Sequence, residues 1–192
     1  MPDSVRDQMV TGLGLEKPEG GLVAYAAPPA GQALLRGRLQ DSSFVESAAQ
    51  ALGLALPTDP MMAAQLDNRV IFRLGPDQWL AVDEADANFG QKLENNDTFA
   101  AIDTSSARSR IFIRGSTARD LLAVGAKIDL REKNFPAGAF AQTSVGNANV
   151  VVHASGNDAF DIYIARSFAC SWTLWLKEVG KEFGLILARS DK

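Results

Sequence analysis

In "QALLRGRL" (residues 32–39) apolar and polar positions alternate as a half-buried strand requires. The next segment, "SSFVESAAQALG", changes period. Phe44, Ala48, Ala51 and Leu52 fall on one helical face, with Ser42 or Ser43 as the N-cap. "NRVIFRL" and "QWLAVD" are apolar runs joined by Gly75-Pro76-Asp77, which predicts a β-hairpin. "EADANFGQKLENN" then predicts a weak helix and "TFAAID" a closing strand, so the order is βαββαβ.

The second half repeats that order. "RSRIFIRG" predicts a strand, "STARDLLAVG" a helix capped by Ser116, and "NVVVHASGNDAFDIYIA" a hairpin turning at Gly156-Asn157-Asp158. The Arg-Gly pairs correspond as well: Arg36-Gly37 and Arg114-Gly115 each stand between a strand and its helix. "RSFACSWTLWLKEVGKEF" supplies a long helix with Phe168, Trp172, Trp175, Leu176, Val179 and Phe183 near helical spacing, and "GLILAR" closes the unit. One extra strand, "AFAQTSV", precedes the second hairpin. The reading is therefore α+β: two tandem ferredoxin-like βαββαβ units, the second with one extra strand. Residues 1–20 are expected to form an irregular N-terminal arm, residues 21–104 the first unit and residues 105–192 the second, the two packed as one domain.

Composition narrows the class. A chain of 192 residues with 46% hydrophobic and 22% charged residues has enough apolar material for a core without metal or disulfide support. A net charge of -4 gives no general attraction to nucleic acid or to an anionic membrane. An RNA-binding βαββαβ module would carry exposed strand aromatics among glycine and basic neighbours, a pattern the sequence lacks. No apolar run approaches the roughly 20 residues that span a bilayer, and "MPDSVRDQMV" lacks the layout of a secretory signal, so the expected location is cytoplasmic. With one cysteine, Cys170, and one histidine, His153, a zinc site is not expected.

The search for chemistry returns few candidates. A nucleophile would need His153 as its base, yet "VVVHAS" places that residue inside a hairpin strand, where a structural histidine is the simpler reading. Cys170 sits near the start of the last helix, as a thiol activated by the dipole or as a small apolar filler in "FACSW". Asp83, Glu84 and Asp86 cluster where the first hairpin enters a helix, the ordinary place for carboxylates that favour a helix dipole. No dinucleotide fingerprint, phosphate loop or nucleophile elbow occurs; "GLGLEKPEGG" (residues 12–21) lacks the strand such a loop must follow.

The stretch "IFIRGSTARDLLAVG" (residues 111–125) can be read as an anion site or as a simple turn. Ser116 and Thr117 can cap the helix, Gly115 allows the bend, and Asp120 opposes an incoming anion. Arg108, Arg110, Arg114 and Arg119 gather around it. The first three share a strand face by even spacing, and a buried sheet face is not expected to carry three guanidinium groups. These four arginines are the candidate contacts to a partner or an anion, against the alternative of a solvated strand face.

Three blocks carry a family resemblance. "IDTSSARSRIFIRGSTARDLLAVGAKIDL", "FPAGAFAQTSVGNANVVV" and "FDIYIARSFACSWTLWL", together with "LGPDQWLAV", resemble the gamma subunits of heterotetrameric sarcosine oxidases over most of residues 30–183. The resemblance implies a flavoenzyme complex that oxidatively demethylates sarcosine to glycine, passes the one-carbon unit to tetrahydrofolate and reduces oxygen to peroxide. It implies FAD, FMN, NAD and tetrahydrofolate in partner subunits, alpha and beta, a small zinc-bearing delta subunit, and a non-catalytic gamma chain with no cofactor of its own. The implied fold is similar to the folate-binding domain of the glycine-cleavage aminomethyltransferase. The lysine-glycine-cysteine-tyrosine-x-glycine-glutamine motif of folate-dependent iron-sulfur assembly relatives is missing: "FPAGAFAQTSVG" has neither its lysine nor its cysteine. No folate-binding residue is therefore transferred. Two functions follow: a structural subunit of such a complex, or a free-standing folate-binding protein whose arginines meet the glutamate tail in a cleft between the halves.

Overall fold

The computed structural model describes residues 21–94 and 99–188. The expected arm, residues 1–20, lies outside them. In chain order the elements are β1 (Val23–Ala26), β2 (Gly31–Arg36), α1 (Ser42–Leu52), β3 (Ala64–Leu66), β4 (Arg69–Gly75), β5 (Gln78–Asp83), α2 (Phe89–Glu94) and β6 (Ala100–Asp103). There follow β7 (Arg108–Arg114), α3 (Ala118–Ala123), β8 (Phe140–Val145), β9 (Ala148–Gly156), β10 (Ala159–Ala165), α4 (Arg166–Gly180) and β11 (Ile186–Ala188). The protein is α+β, with one sheet in each of two units. One unit is Pro29–Ala107; the other joins the residues before Pro29 to those from Arg108 onward.

The sheet of Pro29–Ala107 has the antiparallel order β3-β4-β5-β2-β6. Without β3 this is the split βαβ arrangement, in which the first and third strands are central. Phe44, Ala48 and Leu52 of α1 are buried with Leu35, Ile71 and Trp79 of the strands, and the Trp79 indole N–H donates to the Pro57 carbonyl at 3.2 Å. The N-cap is Asp41, neither Ser42 nor Ser43, because the Asp41 carboxylate accepts the Phe44 amide at 3.2 Å. Regular helix begins only at Phe89 in the segment read as a helix from Glu84. The Asp83 carboxylate accepts the amides of Ala85 (2.9 Å) and Asp86 (3.1 Å), and Asp86 accepts that of Asn88 at 3.0 Å; these local bonds bend the chain into turns.

The second sheet has the order β11-β1-β7-β10-β9-β8. Strand β1 pairs antiparallel with β7, in the seat that β6 takes beside β2, and β11 pairs parallel with the outer edge of β1. The expected first unit begins at residue 21, whereas this strand belongs to the second unit because its pairing partners are β7 and β11. One face of the sheet is apolar: Ile111, Ile113, Val152, Phe160, Ile162 and Ile164 are buried, and α3 and α4 pack on its strands. Trp172 of α4 is fully buried and its indole N–H donates to the Val145 carbonyl at 2.8 Å.

The helix expected to be capped by Ser116 starts one residue later. Thr117 is the N-cap and makes no side-chain cap bond; the Gly115 carbonyl accepts the Ala118 amide at 2.9 Å instead. Gly115 has φ of 136°, and a Cβ there would lie 2.8 Å from Leu22 Cα, so the glycine serves both the bend and the close passage of the segment leading into β1.

The duplication is visible in equivalent bonds. The Gly37 amide donates to the Asp77 carbonyl at 3.1 Å, and the Gly115 amide donates to the Asp158 carbonyl at 2.9 Å. Each thus ties the end of the strand that precedes a unit's first helix to the turn of that unit's hairpin. Each hairpin also shifts register beside its turn, at Arg73/Gly75 and at Ala159/Phe160. The extra strand expected only in the second half is β8; β3 is its short counterpart in the first, pairing with β4 as β8 pairs with β9.

Candidate functional site

Three of the candidate arginines, Arg108, Arg110 and Arg114, lie on the face of the second sheet opposite its apolar side; the fourth, Arg119, belongs to α3. Register alone builds this face, since alternate residues of each strand point the same way. One row runs Tyr25, Phe112, Asp161, His153, Phe140, and the neighbouring row runs Arg110, Tyr163, Val151, Gln142. Although polar, the face is well buried: Arg110 is 5% exposed, Asp161 6% and His153 1%.

The expectation that a buried sheet face would not carry these guanidinium groups is overturned at Arg110. Its guanidinium carbon lies 5.0 Å from the Phe112 ring centroid and 5.7 Å from that of Tyr163, so aromatic faces replace part of the lost hydration. Arg114 is occupied within its own unit. One nitrogen donates to the carbonyls of Phe160 (2.6 Å) and Ile113 (3.1 Å), the other lies 2.5 Å from Asp161 Oδ1, and the group stacks 4.7 Å over Phe112. Arg119 donates to the carbonyls of Leu130, Phe135 and Asn157 and stacks 5.0 Å over Phe160, clamping the loop after α3. Arg108 is half-buried at the rim of a surface recess of about 510 Å³. Burial draws its pKa below the usual arginine value.

Asp161 is the residue that sequence reasoning missed. Its Oδ1 accepts from Arg114 and from the Ser155 hydroxyl at 3.0 Å, and its Oδ2 lies 3.7 Å from His153 Nδ1. Burial pushes the Asp161 pKa upward, but the neighbouring His153 and the Arg114 guanidinium outweigh it and hold the carboxyl below the ordinary aspartate range. A carboxylate in that state is a rigid acceptor; general-base work at neutral pH needs the opposite shift. Besides the even spacing of Arg108, Arg110 and Arg114, that of Asp161 and Tyr163 in "FDIYI" is a signal of this face in the sequence.

The first-half carboxylates have structural roles. Asp83, 5% exposed, pairs with Arg69 (Nη2 at 2.5 Å, Nε at 3.0 Å), and Arg69 also donates to the Leu52 carbonyl and stacks 4.6 Å over Phe89. Asp86 faces Lys92 at 2.5 Å, whose hydrogen bond lowers its pKa. Cys170 is half-buried in α4. Among the described residues no three His, Cys, Asp or Glu side chains converge as a metal site.

These two sheets, a split βαβ arrangement with one added edge strand in the first and with two in the second, define an α+β protein with the fold of part of the glycine-cleavage aminomethyltransferase T. Glycine-cleavage aminomethyltransferase T from Bartonella henselae superposes with a TM-score of 0.53 at 13% identity, over 96% of this chain and 50% of that one. Similarity is greater to a chain of the heterotetrameric sarcosine oxidase from Corynebacterium sp. U-96, solved in complex with pyrrole 2-carboxylate: TM-score 0.78 and 22% identity over 89% of this chain and 87% of that one. The sarcosine oxidase subunit gamma of Corynebacterium sp. (strain P-1) is 25% identical over 139 residues, 70% of this chain and 68% of its own length. The profile of the sarcosine oxidase, gamma subunit family matches residues 36–182. The chain belongs to that family, as its three sequence blocks indicated.

Proposed function

We propose that this chain is the non-catalytic gamma subunit of a heterotetrameric sarcosine oxidase. It supports assembly of the flavoenzyme that demethylates sarcosine to glycine and passes the one-carbon unit to tetrahydrofolate. In this reading alpha, beta and delta chains are its partners, the flavins, NAD and folate belong to them, and the complex works in the cytoplasm. Among the described residues no helix is long and apolar enough to cross a membrane. The observation that carries the proposal is the family match over residues 36–182 on a fold shared along most of the chain. The side chains support it: Asp83, Asp161, Arg69, Arg114 and Arg119 are bound within their own units, where they brace strands and loops.

Co-expression with the companion chains tests the proposal. Affinity capture of this chain is expected to bring down a multi-subunit complex with flavin absorbance. A chain that stays a monomer beside its companions would overturn it. Saturable micromolar binding of tetrahydrofolate to the purified chain alone, followed by calorimetry, would favour the free-standing folate binder instead.

A further inference from the structure

Strand β6 (Ala100–Asp103) ends the first sheet and pairs on one side only, with β2. The Thr104 amide donates to the Gln32 carbonyl at 2.8 Å, so the main-chain groups of these two residues face each other. Facing pairs alternate along an antiparallel ladder. Ala100 and Ile102 therefore turn their main-chain groups toward β2, while those of Ala101 and Asp103 point away from the sheet. Among the described residues nothing donates to them or accepts from them.

Other edges of the protein are closed by its own chain. Strand β1 holds the equivalent seat in the second sheet, and its outer side carries β11 in parallel, from Val23 beside Ile186 to Tyr25 beside Ala188. On β8, the Lys127 amide donates to the Ser144 carbonyl at 3.2 Å and Ala126 bridges Val145. An edge that stays open in a folded protein is usually blunted by lysine, proline or a bulge. The sequence of β6, "AAID", has none of these, and its register with β2 runs unbroken. The Asp103 carboxylate is occupied by the Ser105 amide at 2.9 Å and the Ser105 hydroxyl at 2.5 Å. Ala101 packs with the core beneath α2, so Ala100 and Ile102 point to the other face, where Ile102 is 54% exposed.

We propose that the outer side of β6 receives an extended segment of a companion chain, parallel to β6 as β11 is to β1, with apolar residues at the alternate positions that flank Ala100 and Ile102. This inference rests on the assembly reading and gives it a surface. A second copy of this chain is the poorer occupant, because a two-fold axis would pair β6 with itself antiparallel.

Hydrogen exchange resolved to single residues by mass spectrometry, on the full-length chain alone and in the co-expressed complex, tests the proposal. The Ile102 amide, turned to β2, should be protected in both. The Ala101 and Asp103 amides should exchange readily in the lone chain and slow by about tenfold or more in the complex. Ile102→Lys, at an exposed position, is expected to weaken capture of the companions by about tenfold while melting as the parent does, and Ala101→Pro to do the same by deleting an outward donor. Should Ala101→Pro fail to fold, Ile102→Lys carries the test. A parent that assembles with both amides still exchanging at the lone-chain rate, or variants captured as well as the parent, would overturn this surface and leave the assembly reading standing. A parent that does not assemble would overturn both. Protection that rises with the concentration of the lone chain would assign the edge to a second copy and overturn the companion as its occupant.

Discussion

The Arg114 guanidinium and the Asp161 carboxylate meet at 2.5 Å across two paired strands, one partner a third exposed and the other almost fully buried. Removing either partner leaves the other without its compensation in a low-dielectric place. Arg114→Ala is expected to destabilise folding by about 2–3 kcal/mol, short of a fully buried pair because water still reaches the guanidinium. Urea unfolding of the purified chain measures this. An unchanged midpoint would mean the pair contributes nothing.

The same carboxylate sets a pH dependence. Its folded-state pKa is lowered, so its contribution to stability is present above the unfolded aspartate value of about 3.9 and fades as pH falls through the lower folded value. Melting curves from pH about 6 down to about 2 should therefore show a steeper loss for the parent than for Asp161→Asn, which has no such proton to take up. Parallel curves would contradict the linkage.

The arginine at the equivalent position of the first unit, which has a different partner, provides an internal control. Arg36 and Asp77 pair at 3.3 Å at the equivalent Arg-Gly position, but both side chains are more than half exposed. Arg36→Ala is expected to change stability by no more than about 0.5 kcal/mol, and added salt should erase the effect. A cost equal to that of Arg114→Ala would show that burial is not what separates the two pairs.

Trp175 rests on glycine. Gly146 has φ of 60°, and a Cβ there would lie 2.5 Å from the indole Cδ2. Gly146→Ala is expected to cost about 1–3 kcal/mol through strain and overlap. Trp175→Ala, removing a half-buried ring, should cost about 2–3 kcal/mol, less than truncating the fully buried Trp172. The double variant should cost less than the sum of the singles, since the ring that the added methyl group would strike is gone. Strict additivity in thermal melts would refute the contact.

The order of elements was legible because alternation and helical spacing are local signals. The turns at Asp77 and Asp158 and the Arg-Gly pairs were legible for the same reason, and the structure joins them by equivalent bonds. Strand β1 was not: "VAYA" is four residues long, and its seat is decided by pairing with β7 and β11, far along the chain. The cap of α1 was misplaced by one or two residues because Asp41, Ser42 and Ser43 all have cap-forming side chains, and only geometry selects Asp41. Arg110 was read as an outward charge because nothing in its own strand shows that Tyr163 comes to lie beside it. The anionic partner sought for Arg114 outside the chain is Asp161.

Strand β1 also governs how the protein can come into being. On the ribosome it emerges before Pro29–Ala107, whose strands pair only with one another, yet it finds its own neighbour only when β7 has been made and holds β11 only after that. The continuous unit can reach its native state during synthesis, while an early strand waits unpaired for a late one. Deleting residues 21–26 should therefore strip two strands from the second sheet instead of one, leaving β11 with nothing to join and the edge of β7 open to aggregation.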